Sequence, residues 1–162
     1  MKEILDKISS YNLFNYLLPG VLFAFIASKM TGINLVQNDL IIGAFVYYFI
    51  GLVISRFGSL VIEPILKKTK FVSFADYKDF VTVSQSDTKL DTLSEANNMY
   101  RTLMAMFLLL ILSGIYSWLT LKFPIIKEWS TILLVILLFI MFLFSYKKQT
   151  NYITKRIKSN LK

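Results

Sequence analysis

Residues 47–64 read YYFIGLVISRFGSLVIEP. Without Arg56 and Glu63 the stretch would be an ordinary membrane span, so where those two charges sit decides how the chain is built. A bilayer core of ~30 Å takes about 20 residues of helix at 1.5 Å per residue. A helix that enters at Leu40 therefore leaves near Leu60. Arg56 then lies about one turn inside the boundary, where a long side chain reaches water, and Glu63 lies beyond it. Counting back from Leu121 places Arg101 at the same boundary. Both arginines read as interfacial charges, neither at the midplane.

Three further stretches have the length and apolarity of a span: Tyr11 to Ser28, about Leu103 to Leu121, and Ser130 to Tyr146. The first carries Pro19-Gly20, which is expected to kink or unwind it. It follows lysines like a secretory signal, but no soluble domain comes after it, and it is read as a retained span. The chain as a whole is 56% hydrophobic over 162 residues, with 15% aromatics. A soluble domain of this size could not hide that much apolar surface.

Charge sets the expected orientation. Lys2 and Lys7, then Arg56, Lys67, Lys68, Lys70, Lys78, Lys89 and Arg101, then Lys147, Lys148, Lys155, Arg156, Lys158 and Lys162 fall on one side of a four-span plan. Only Lys29, Lys122 and Lys127 fall on the other. The positive-inside rule then puts both termini and the central loop in the cytoplasm of a bacterial inner membrane. The same bias argues against dual-topology dimers. The expected fold is an all-α membrane protein of four transmembrane helices, with a cytoplasmic helical hairpin between spans two and three. Its parts are a helix pair with an amphipathic start (1–66), the insert (67–100), a second pair (101–146) and a basic tail (147–162).

Within the insert, Phe74, Tyr77, Phe80 and Val81 recur at helical spacing, with Ser73 as N-cap. Ser86 or Asp87 would cap a second arm that carries Leu90 and Leu93 and runs straight into the third span. Such a hairpin suits either the membrane surface or a neighbouring subunit.

There is no cysteine and no histidine. Disulfides, thiol nucleophiles, the usual zinc and haem ligands and the commonest general base are thereby excluded. Phosphate-binding glycine loops and nucleophile elbows are absent. The chain is not expected to be an enzyme, nor to hold a cofactor or metal. A midplane carboxylate of the kind proton-coupled transporters use is missing too.

Two constellations remain. Gly51, Ser55, Ser59 and Glu63 are each four apart, a small and polar stripe on one helix face, and Asn97, Arg101, Ser113 and Ser117 give the third span a matching side. The stripe either packs spans two and three within one chain or lines a pore between copies. Arg56 and Arg101, with Lys67, Lys68, Lys70, Lys78 and Lys89 below them, would form a basic mouth. That mouth would attract anionic lipid at the cytoplasmic face, or a soluble nucleotide or oligonucleotide.

On its overall plan the chain resembles small multi-pass membrane effectors of bacterial anti-phage defence, the SLATT-like proteins and the membrane subunits of the Hailong and Kiwa systems. What carries the resemblance is the short amphipathic start MKEILDKISS, four spans, the helical insert from about Phe71 to Tyr100 and the basic tail, with YNLFNYLLPG and ANNMYRTL as its distinctive strings. The resemblance implies ion conduction or depolarisation controlled by a nucleotide-type signal. The leading expectation is a homo-oligomeric channel, a tetramer, gated from the cytoplasm. The alternative is a non-conducting anchor or sensor subunit that recruits a cytoplasmic partner protein.

Overall fold

The computed structural model describes residues 12–160, and every regular element among them is helical. The elements are α1 (Leu13–Thr31), α2 (Leu40–Lys68), α3 (Tyr77–Ser84), α4 (Lys89–Lys122) and α5 (Ile125–Asn160). All but α3 are long and apolar enough to cross a membrane, which makes this a multi-pass membrane protein. The amphipathic start, with Lys2, Lys7 and Tyr11, lies outside the described residues.

Proline distorts both of the first two helices, upstream of where the chemistry suggests at first sight. Proline lacks an N–H, and its ring collides with the carbonyl four residues before it. In α1 the helix runs unbroken through Pro19-Gly20, and the preceding residues Leu13–Leu17 widen into a π-turn. In α2 the same thing happens ahead of Pro64: residues Gly58–Ile62 form a π-turn and the helix then continues. The expected break at Pro19-Gly20 is therefore a local widening one turn earlier. By the same device α2 outlasts its apolar stretch and ends at Lys68, which keeps Glu63 on the same helix face as Ser59, as their spacing predicts. Lys70, in the left-handed region at φ 58°, turns the chain away.

The α1–α2 pair is the tightest contact. A β-carbon added at Gly20 would fall 1.8 Å from the Tyr47 carbonyl oxygen, and one at Gly51 would fall 1.7 Å from that of Tyr16. The two backbones touch reciprocally, at a separation only glycine permits. Asp39 caps α2 by accepting from the Ile41 and Ile42 N–H groups at 2.9 and 2.8 Å. The main cluster of buried apolar side chains, Ala27, Ile54, Ile62, Ala105, Met106 and Leu110, comes entirely from α1, α2 and α4.

α5 is different. None of its most apolar stretch is buried inside the chain. It meets the bundle through Phe142 stacked on Phe49 (6.2 Å between ring centroids), through buried Ser145, and through Lys148. At 34 and 36 residues, α4 and α5 are about 51 and 54 Å long, well beyond a bilayer core. Their polar excess falls at the same end, called here the charged end. There α3 packs between them, with Val81 buried and Tyr77 5.9 Å from Tyr152. The helix over this segment starts at Tyr77 with Asp76 at its N-cap position, so Ser73 is not the cap and Phe74 precedes the helix. Phe74 instead lies under the Lys67 ammonium, 3.9 Å from ring centre to nitrogen. At the start of α4 the N-cap position is held by Thr88 rather than Ser86 or Asp87, although the Asp87 carboxylate accepts from the Lys89 N–H at 2.9 Å, and α4 continues without a break into the third span.

Candidate functional site

The stripe on α2 turns inward along its whole length, and its residues meet α1, α4 and α5 in turn. Gly51 takes α1 backbone, as above. Ser55, one turn on, enters a buried polar knot. Its Oγ is 3.4 Å from Asn15 Nδ2 and 3.2 Å from Thr102 Oγ1. Thr102 Oγ1 is also 2.9 Å from Asn15 Oδ1 and 2.9 Å from the Asn98 carbonyl, with a single proton to donate among these acceptors. Thr102 is completely buried. Replacing it with valine keeps the shape and removes the hydroxyl, and is expected to cost about 1–3 kcal/mol because the remaining acceptors stay buried. Unfolding of the Thr102→Val protein in mixed micelles measures this; an unchanged midpoint would mean that the knot is wet.

Below the knot lies an ion cluster centred on Glu63, which is 7% exposed. Its carboxylate accepts from Lys67 Nζ at 3.0 Å, from Lys148 Nζ at 3.3 Å and from Arg101 Nη1. The π-turn explains why Lys148 comes here. Within it the Glu63 N–H donates to Gly58 O, one residue further back than in an α-helix. Ser59 O therefore loses the Glu63 N–H, and the next candidate donor, residue 64, is a proline. A buried carbonyl without a donor is costly. Lys148 Nζ fills that place, donating to Ser59 O and to Ser59 Oγ, both at 2.7 Å, as well as to Glu63. All three ammonium protons are used. This is the main polar tether of α5.

Between knot and cluster the four long helices line a half-open cavity of about 320 Å³. Tyr16 of α1 and Ser55, Arg56 and Ser59 of α2 form one side; Asn98 and Arg101 of α4, with Gln149 and Tyr152 of α5, form the other. The lining is predominantly polar. Arg56 makes no ion pair among the described residues, and Arg101 Nε is buried with no hydrogen-bond partner.

Of the residues singled out in the sequence, Gly51, Ser55, Ser59, Glu63, Arg101 and Arg56 thus converge on one region. Lys67 reaches its edge. Lys68, Lys70, Lys78 and Lys89 are exposed outside the cavity, as is Asn97, whose neighbour Asn98 occupies the inward position. Ser113 and Ser117 lie farther along α4, half-buried, Ser113 donating to the Leu110 carbonyl. Asn15, Thr102 and Lys148 were not legible as site residues, for they join the stripe only through tertiary packing. The chain matches no family model, no curated protein and no solved structure.

Proposed function

We propose that the protein is a membrane sensor subunit whose cavity at the charged end receives a ligand and whose α5 responds to it. The observation that carries this is the coincidence of cavity and tether. All four long helices line the cavity, and the polar contacts that hold α5 sit on its rim, while the apolar length of α5 is largely exposed, with Phe142 on Phe49 as its aromatic contact. A ligand there touches a place where a small change in contacts can reposition a whole helix. What favours this over conduction through the α2 stripe is that Gly51, Ser55, Ser59 and Glu63 are each engaged within the chain.

A homo-oligomeric channel is the second reading, favoured by the exposed apolar length of α5, a surface through which copies could associate. The overall plan supports a place in bacterial antiviral defence for either reading. The charge distribution supports a charged end in the cytoplasm of an inner membrane, with α3 and the start of α4 forming a hairpin there. Cysteines introduced at Ser84 and Ser159 should then be shielded from an impermeant reagent in intact cells, and one at Asn34 should react; the opposite pattern inverts the orientation.

Lys148→Met separates the two functions. Spin labels at Val61→Cys and Tyr146→Cys should report a longer, broader α2–α5 distance when the tether is cut, in liposomes that remain sealed to ions. An unchanged distance removes α5 as the responding element. Ion flux appearing with the substitution makes the channel reading the right one.

A further inference from the structure

The charges around the cavity do not balance. Lys67, Arg101 and Lys148 gather on a single carboxylate, Glu63, Arg56 lines the same cavity, and no other carboxylate pairs with any of the four among the described residues. Lys67 is partly solvated, with a side chain 42% exposed, but Arg101 and Lys148 are mostly withdrawn from water. Lys148 has spent its protons on Ser59 and Glu63. Two guanidinium groups keep unused donors among the described residues: Arg56, which has no ion pair there, and Arg101, which gives Nη1 to Glu63 and leaves buried Nε unpartnered. Unbalanced cations at the edge of an apolar bundle are costly, and the polar space beside them is large enough for a small ligand.

We propose that the cavity binds a phosphate-bearing anion, held between the Arg56 and Arg101 guanidinium groups. A planar fork of N–H donors matches phosphate oxygens in pairs, which an ammonium cannot do. Ser59, Asn98 and Gln149 supply neutral donors around the same space. Because Gln149 and Tyr152 belong to α5 and Arg56 to α2, the bound anion bridges the tethered helix to the bundle and reinforces the contact at Lys148. The chemistry is shared by two sources, the headgroup of an anionic lipid and a soluble nucleotide.

This proposal rests on the ligand-receiving reading above, and its test is independent of it. Full-length protein in a neutral detergent is titrated calorimetrically with ATP and, separately, with dioctanoyl phosphatidic acid, with inorganic phosphate as competitor. At least one probe should saturate and be displaced by inorganic phosphate. Phosphatidic acid alone assigns a headgroup, ATP alone a soluble ligand, and both together assign the phosphate itself as what is recognised. Arg56→Gln should weaken binding at least about tenfold, and Arg56→Lys, which keeps the charge and the fold, at least about threefold. Replacing exposed Lys68 and Lys70 together with glutamine should change it less than about twofold. Saturation by neither probe, indifference to both Arg56 substitutions, or an equal loss from the lysine pair overturns the proposal. If an anion binds yet leaves the α2–α5 spin-label distance unchanged, the sensor reading fails while the site stands.

Discussion

Gly51→Ala is expected to remove at least about 3 kcal/mol of stability and to part α1 from α2. The new methyl group would lie 1.7 Å from the Tyr16 carbonyl oxygen, and the next atoms in its way are backbone too, at 2.5 and 2.9 Å. No rotamer change relieves such a clash, because a carbonyl moves only with its helix. Gly20→Ala should behave alike, for its methyl group would meet the Tyr47 carbonyl at 1.8 Å. Gly114→Ala is the control: its only near neighbour is the terminal carbon of Met30 at 3.2 Å, the end of a flexible side chain that can step aside. Unfolding by SDS in mixed micelles, followed by circular dichroism, should rank the three, with Gly114→Ala close to wild type. A Gly51→Ala protein within about 1 kcal/mol of wild type would mean that the two backbones never approach so closely.

Glu63→Gln should cost about 3–5 kcal/mol, the range for removing one partner of a buried ion pair. The carboxylate is nearly buried, and without it the Arg101 and Lys148 charges face one another with only hydroxyl and carbonyl oxygens nearby. Lys67 contributes little, since its side chain is exposed enough to turn to water. Lys148→Met alone strands the Ser59 carbonyl as well as weakening the cluster. The double variant Glu63→Gln/Lys148→Met should therefore lose less than the sum of the two, by about 0.5–3 kcal/mol in a thermodynamic cycle. Strict additivity would show that Lys148 and Glu63 are neighbours without coupling.

The periodicities that made the spans readable are local, and so is their success. A run such as residues 130–146 has one stable solution in lipid, and the four-residue spacing of Gly51, Ser55, Ser59 and Glu63 selects a helix face whatever packs on it. The partner of each stripe residue was a different matter. Asn15, Thr102 and Lys148 lie 40, 47 and 89 residues from the side chains they join. No spacing rule spans such separations. The packed face of α2 is also wider than the small residues suggest: Ile54, beside the stripe, is only 1% exposed, because α1 and α4 cover it from both sides. The way α2 passes its proline is not local in that sense: at Pro64 a π-turn absorbs the missing N–H and α2 continues to Lys68.

The confinement of the main buried cluster to α1, α2 and α4 bears on how the protein is made. Chains emerge amino end first, and units fold as they become complete. Every apolar residue of that core has been synthesised by Leu110, before α5 begins at Ile125. The three-helix unit can therefore close while the last helix is still on the ribosome, and α5 is fastened afterwards, when residue 148 finds the carbonyl that Pro64 left without a donor.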